Sequence, residues 1–217
     1  MPEINFSGPT GRLQGRYDQQ ADPNAAVALF LHPHPKLGGT MNNRVIYHLF
    51  YALSEVGVTV LRFNFRGVGR SEGEHSGETG ELSDSAAALS FLQSRNPNAR
   101  ACIVVGFSYG AYIAMQLLMR RPEITGFVCI SPVVNVQDFS FLAPCPTSGL
   151  IVSGSADLVA SPGRIADLAK QLQKQEEVEV VHRVVEGAGH FFEGTYMQEL
   201  QIAVVQYVQT NLYANLF

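Results

Sequence analysis

The chain has 217 residues, 46% of them apolar and 16% charged; so apolar a composition excludes disorder and leads us to expect one globular domain over residues 1–217. The net charge is −4, and no basic run is longer than Arg120-Arg121. A nucleic-acid partner is therefore not expected, because neutralising phosphates takes clustered cations.

Residues 4–6 and 12–17 flank Gly8-Pro9-Thr10-Gly11 and should pair as a hairpin. Residues 26–31 form a continuous apolar run that reads as a buried strand. A helix is expected over 44–56, with Val45, Leu49, Leu53 and Val56 on one stripe and Gly57 as its stop. Strand 59–65 follows, then a polar, Gly-rich loop over 66–80 and a helix over 82–93 that turns Ala86, Leu89 and Leu92 inward. Strand 102–105 leads into helix 111–119. Strands 127–130 and 150–152 are separated by an irregular stretch, 131–149. Helix 164–173, strand 178–185 and helix 200–213 complete the chain. Alternating strands and helices, with apolar strands lacking a polar face, point to a mostly parallel sheet covered by helices on both faces. In such a sheet, ligands sit at the carboxyl ends of the strands.

Cys102, Cys129 and Cys145 include no CxxC pair, and they read as small buried side chains rather than disulfide or zinc ligands. Met1-Pro2-Glu3-Ile4-Asn5 has neither the basic nor the apolar part of a leader. No apolar stretch approaches the ~20 residues that span a bilayer. The expectation is a cytoplasmic protein with no membrane partner.

Gly106-Phe107-Ser108-Tyr109-Gly110 lies between a strand and a helix. A serine on so sharp a turn has strained backbone angles, and glycines two residues to either side relieve collisions and expose its hydroxyl. Such a hydroxyl needs a base to become a nucleophile, and the base needs an orienting carboxylate. Of the six histidines, His48 lies in a helix, His75 in the polar loop and His182 in a strand. His190 follows a late strand within Gly187-Ala188-Gly189-His190-Phe191-Phe192 and is the expected base. Asp157, after strand 150–152, is the expected carboxylate, ahead of Asp138 and Asp167. An oxyanion would take the N–H of Tyr109 and one from the loop after strand 26–31. Pro33 and Pro35 have no N–H, which leaves His34 first and Leu37 second. His32 and His34 could also share a face as a metal pair, but no third ligand accompanies them, so no metal is expected. Gly67, Gly69 and Gly73 are spaced GxGxxxG rather than as the dinucleotide fingerprint GxGxxG.

With Ser108, Asp157 and His190 in that order, the chain resembles the α/β-hydrolase superfamily, and in particular its small dienelactone-hydrolase-like serine hydrolases. Arg66-Gly67-Val68-Gly69-Arg70-Ser71 adds to the likeness. The stretch from His32 to Asn43 looks like the HPHP…GGTMNN segment of a bacterial subgroup of hydrolases. The resemblance implies an α/β-hydrolase fold and a cofactor-independent acyl transfer to water. Lids in this superfamily are usually inserted at the position of residues 131–149, which are too few for a separate cap domain. The pocket would then be shallow, with apolar walls from Phe107, Phe139, Phe141 and Phe191, and suited to small-molecule esters with short acyl or small aryl groups. A thioesterase, a peptidase, or a non-catalytic binding protein of the same shape are the alternatives; the complete Ser108, Asp157 and His190 set favours an enzyme.

Overall fold

The structure is a computed structural model and describes residues 3–213; Met1 and Pro2, part of the stretch expected to carry no leader, lie outside them. In chain order the elements are β1 (Glu3–Gly8), β2 (Gly11–Asp18), β3 (Val27–Leu31), α1 (Arg44–Glu55), β4 (Thr59–Phe63), α2 (Glu78–Arg95), β5 (Cys102–Phe107), α3 (Tyr109–Leu118), β6 (Gly126–Ile130), β7 (Gly149–Gly154), α4 (Pro162–Gln173), β8 (Val180–Val185) and α5 (Tyr196–Tyr213). They build an eight-stranded sheet in the order β1-β2-β4-β3-β5-β6-β7-β8. β1 and β2 form the expected hairpin, β2 runs antiparallel to β4, and every later pairing is parallel.

Apolar strands without a polar face need cover on both sides, and the chain supplies it. β3, β5 and β6 are buried along their whole length. Cys102 and Val104 of β5 point into a core shared with α2, α3 and α4. Ile103, Val105 and Phe107 point the opposite way, into a core shared with α1 and α5. Between β6 and β7, residues 131–148 contain a single 3-10 turn, Ser140–Leu142, and no cap. Cys102, Cys129 and Cys145 are buried and unpaired. No helix among the described residues is long and apolar enough to cross a membrane.

Several boundaries differ from expectation. β4 stops at Phe63, β8 starts at Val180 and α5 starts at Tyr196. α2 starts at Glu78, and its first turns bury Glu81, Asp84 and Ser85 rather than apolar side chains. Asp84 is matched by Arg66, whose Nε and Nη2 donate to the two carboxylate oxygens at 3.0 and 2.7 Å.

The topology leaves one crevice. β3 connects to β4 on one side, whereas β5 connects to β6 on the other, and Leu31 pairs with Gly106 where β3 and β5 end together. The loops that leave these two strands diverge above that point, which is where an open α/β sheet receives ligands.

Candidate active site

Ser108 stands at this crevice, between the end of β5 and the start of α3, with φ 58° and ψ −117°. A non-glycine residue in that region carries ~1–3 kcal/mol of strain, which the surroundings must hold in place. Its N–H donates to the Ile130 carbonyl at 2.9 Å, and its own carbonyl accepts from Ala111 at 3.1 Å. The flanking glycines are sterically required. A Cβ at Gly106 would sit 2.4 Å from the Gly110 carbonyl oxygen and 2.6 Å from the Ala111 Cα. At Gly110 the obstacle is β3 and the residue after it: a Cβ would lie 2.2 Å from the Leu31 oxygen and 2.5 Å from the His32 oxygen.

His190 Nε2 lies 3.0 Å from Ser108 Oγ, and its Nδ1 lies 2.8 Å from Asp157 Oδ2. The close fit of β7 to the loop after β8 produces this meeting. Gly154 leaves room for the Ala188 carbonyl, 2.2 Å from where its Cβ would be, and that carbonyl also accepts from the Ala156 N–H. Asp157 Oδ1 accepts from the N–H groups of Val159 and Ala160, both at 2.8 Å. Burial alone would raise the Asp157 pKa; the His190 bond and these two N–H donors outweigh it and hold the carboxyl below its usual range. An ionised Asp157 has no proton to give, so the Nδ1 that faces it carries the hydrogen, and the tautomer with its hydrogen there turns the lone pair of Nε2 toward Ser108. The rivals are occupied elsewhere. Asp138 accepts from Ser140 in its own turn, and Asp167 lies within α4.

Beside Ser108 is a pocket of about 200 Å³, walled by His34, Leu37, Asn43, Val159, His190 and Phe191. Leu37, Val159 and Phe191 are exposed at its mouth. The Tyr109 N–H occupies the first position of α3, where a helix offers it no acceptor. The His34 N–H likewise donates to no protein group among the described residues. Leu37 corrects an expectation: its N–H is taken by the His34 carbonyl at 3.0 Å, so it cannot serve an oxyanion, although its side chain lines the pocket.

Three aromatic residues expected as walls also need correction. Phe107 is fully buried beneath the imidazole of His190, with ring centroids 5.0 Å apart. Phe139 and Phe141 stack on each other and meet Tyr112 edge-on, and Phe139 lines a separate hollow beside α4. Of the expected four, only Phe191 walls the pocket. The alternation of β5 could have assigned Phe107, which shares parity with buried Ile103 and Val105.

The paired-ligand idea for His32 and His34 fails on geometry. His32 is fully buried, accepts the Phe65 N–H at Nε2 and meets the Pro33 carbonyl at Nδ1, so both nitrogens are engaged. Burial pushes its pKa down to about 3. Gly67, Gly69 and Gly73 each take positive φ in a loop that reaches α2 only at Glu78, so they do not open a helix as a dinucleotide-binding loop does. Sequence reasoning missed Asn43 and Val159 in the pocket wall, and it passed over His75, whose ring lies 5.2 Å from that of His34.

Residues 37–147 match the family model described as "Serine aminopeptidase, S33". An uncharacterized protein of Rickettsia prowazekii is 50% identical over 196 residues, which are 88% of this chain and 82% of the relative. A solved structure from Agrobacterium tumefaciens, of unknown function and assigned to the α/β hydrolases, is 50% identical with a TM-score of 0.94, covering 99% of this chain and 98% of that one. A Xanthomonas campestris structure, a serine hydrolase without a lid, is 29% identical with a TM-score of 0.85, covering 97% of this chain and 94% of that one.

Proposed function

Because the chain belongs to the α/β-hydrolase family of serine hydrolases, we propose that it is a carboxylesterase that cleaves short acyl or small aryl esters through Ser108, His190 and Asp157. The observation that carries this reading is the unbroken line of contacts from Ser108 Oγ through His190 to Asp157, at 3.0 and 2.8 Å. His190 Nε2 takes the proton of Ser108 as Oγ bonds to the ester carbonyl carbon. The oxyanion that forms is met by the N–H groups of Tyr109 and His34. His190 then gives its proton to the departing alkoxide, which leaves an acyl group on Ser108. Water repeats the sequence, releases the acid and restores the serine. Asp157 keeps its own charge and stabilises the imidazolium throughout.

The pocket supports small substrates. At about 200 Å³ it lies below the ~300–1,000 Å³ of pockets that enclose drug-sized ligands. The same walls argue for esters over N-terminal peptides, despite the matched family's aminopeptidase description. A peptide's α-ammonium needs a nearby carboxylate, and no Asp or Glu is among the residues that line the pocket. A cytoplasmic setting is part of this reading, supported by three buried cysteines that are unpaired. A fluorophosphonate probe tests the nucleophile: it should label the wild type at Ser108 and leave Ser108→Ala untouched. Folded wild type that resists the probe would defeat the proposal. A panel of matched esters, thioesters and amides then separates esterase from thioesterase and peptidase.

A further inference from the structure

His75 approaches His34, a residue of the pocket wall, from the loop between β4 and α2. The loop is anchored where Arg66, clamped by Asp84, also donates from Nη1 to Ser76 Oγ at 3.3 Å. It crosses itself closely, since a Cβ at Gly67 would meet the His75 nitrogen at 3.2 Å. The His75 ring lies 5.2 Å from the ring of His34, and the ring of His34 lies 4.7 Å from that of Tyr109. The two residues whose N–H groups are free to meet an oxyanion therefore have side chains in mutual contact, and His75 meets the His34 member of that pair.

His75 is itself held. Its Nδ1 lies 2.8 Å from Glu81 Oε1, on the first turn of α2. The two atoms meet in distance but not in hydrogen-bond alignment, and neither Glu81 oxygen has any other partner. Glu81 is fully buried. A buried carboxyl group without donors is costly, and the His75 imidazole is the polar group that lies against it. The buried Tyr109 hydroxyl, also unpartnered, lies in the field of Glu81 and Glu78. These acidic groups face the stack from α2, and nothing in ester cleavage at Ser108 uses them.

We propose that His75, held by Glu81, is a positioning residue that presses His34 against Tyr109 and so fixes the spacing of the two backbone N–H donors. The inference rests on the esterase reading and its oxyanion donors. A donor displaced by ~1 Å costs up to ~100-fold in rate, because it meets the developing charge at the wrong point. His75 touches neither substrate nor Ser108, so its loss acts on kcat and leaves KM nearly unchanged.

The test removes the pair together, to avoid stranding Glu81. His75→Ala/Glu81→Leu is expected to lower kcat for a short ester by ~10- to 100-fold, with KM within about twofold. Affinity for a boronic-acid analogue of the tetrahedral intermediate should fall by the same factor. His75→Phe/Glu81→Leu, which puts a ring back against His34 without the charge, should recover most of both losses; a role in stability alone would not follow the ring. An unchanged kcat in the first variant, or no recovery in the second, overturns the assignment. Should the truncated variant not fold, His75→Leu/Glu81→Leu, which keeps apolar bulk but removes the ring, is expected to lower kcat about threefold to tenfold; no change there also overturns it. Probe labelling of the wild type keeps the two readings apart. If Ser108 fails to label, the esterase reading falls; if it labels and these variants behave as wild type, only the positioning role falls.

Discussion

The same substitution at the second position of two helices should move stability in opposite directions. Gly110 follows Tyr109 in α3, and Gly163 follows Pro162 in α4, so the helix-propensity difference between glycine and alanine largely cancels. Neither glycine needs positive φ, and nothing lies within 4 Å of a Cβ at Gly163. Gly163→Ala should therefore gain ~0.5–1 kcal/mol by restricting the unfolded chain. At Gly110 the new methyl would stand 2.2 Å from the Leu31 oxygen and 2.5 Å from the His32 oxygen, both of them backbone that cannot rotate away. Overpacking of this kind costs ~1–3 kcal/mol, and the unfolded-state gain offsets only part of it. For a chain of this size each kcal/mol moves Tm by ~2–4 °C, so Gly163→Ala should melt a few degrees above wild type and Gly110→Ala several degrees below it. Activity should divide likewise. α3 can relieve the clash only by moving away from β3, which draws Ser108 and Tyr109 from His34, and ~1 Å of that motion costs up to ~100-fold in kcat. Thermal melts followed by circular dichroism, together with hydrolysis of a short ester, provide both readouts. A Gly110→Ala protein that melts with wild type and keeps its kcat would refute the close-approach argument.

Asp157→Asn is expected to lower kcat by ~1,000- to 10,000-fold with little change in KM, because an amide can hold His190 in the wrong tautomer; steady-state kinetics measure it, and a comparable loss in Asp138→Asn would point to another carboxylate. His32 sets part of the acid sensitivity. Its folded pKa is about 3 because of burial, whereas an unfolded histidine titrates near ~6.5. Between those values the unfolded chain binds a proton that the folded chain excludes. His32 therefore lowers stability as pH falls from ~6.5 toward ~3, by up to ~1.4 kcal/mol per pH unit. His32→Gln, which keeps an acceptor for the Phe65 N–H, should flatten urea-unfolding stability against pH in that window, and parallel slopes for the two proteins would count against it.

What could be read from the sequence follows from how far each constraint reaches along the chain. The Gly106 collision involves residues within five positions, so the elbow is legible as a short pattern. Asp157 and His190 are legible for a topological reason: parallel strands end at one edge, so residues just after them meet there however distant in sequence. The start of α2 was hidden because periodicity registers apolar side chains alone. The buried face of its first turns is Glu81, Asp84 and Ser85, and what makes that burial tolerable lies elsewhere, in Arg66 and His75. Such a match is a pairing of charges with no period, and one member of it looks like an ordinary loop residue. The aromatic walls were misjudged for a related reason. Phe107 and Phe191 are both apolar, yet one packs below His190 and the other beside it, a difference set by which side of the sheet and loop each side chain leaves. The residues that sequence reasoning passes over are thus those whose role depends on a partner that the fold brings to them. His75 is one of these: it acquires a function only when Glu81 and His34 arrive on either side of it.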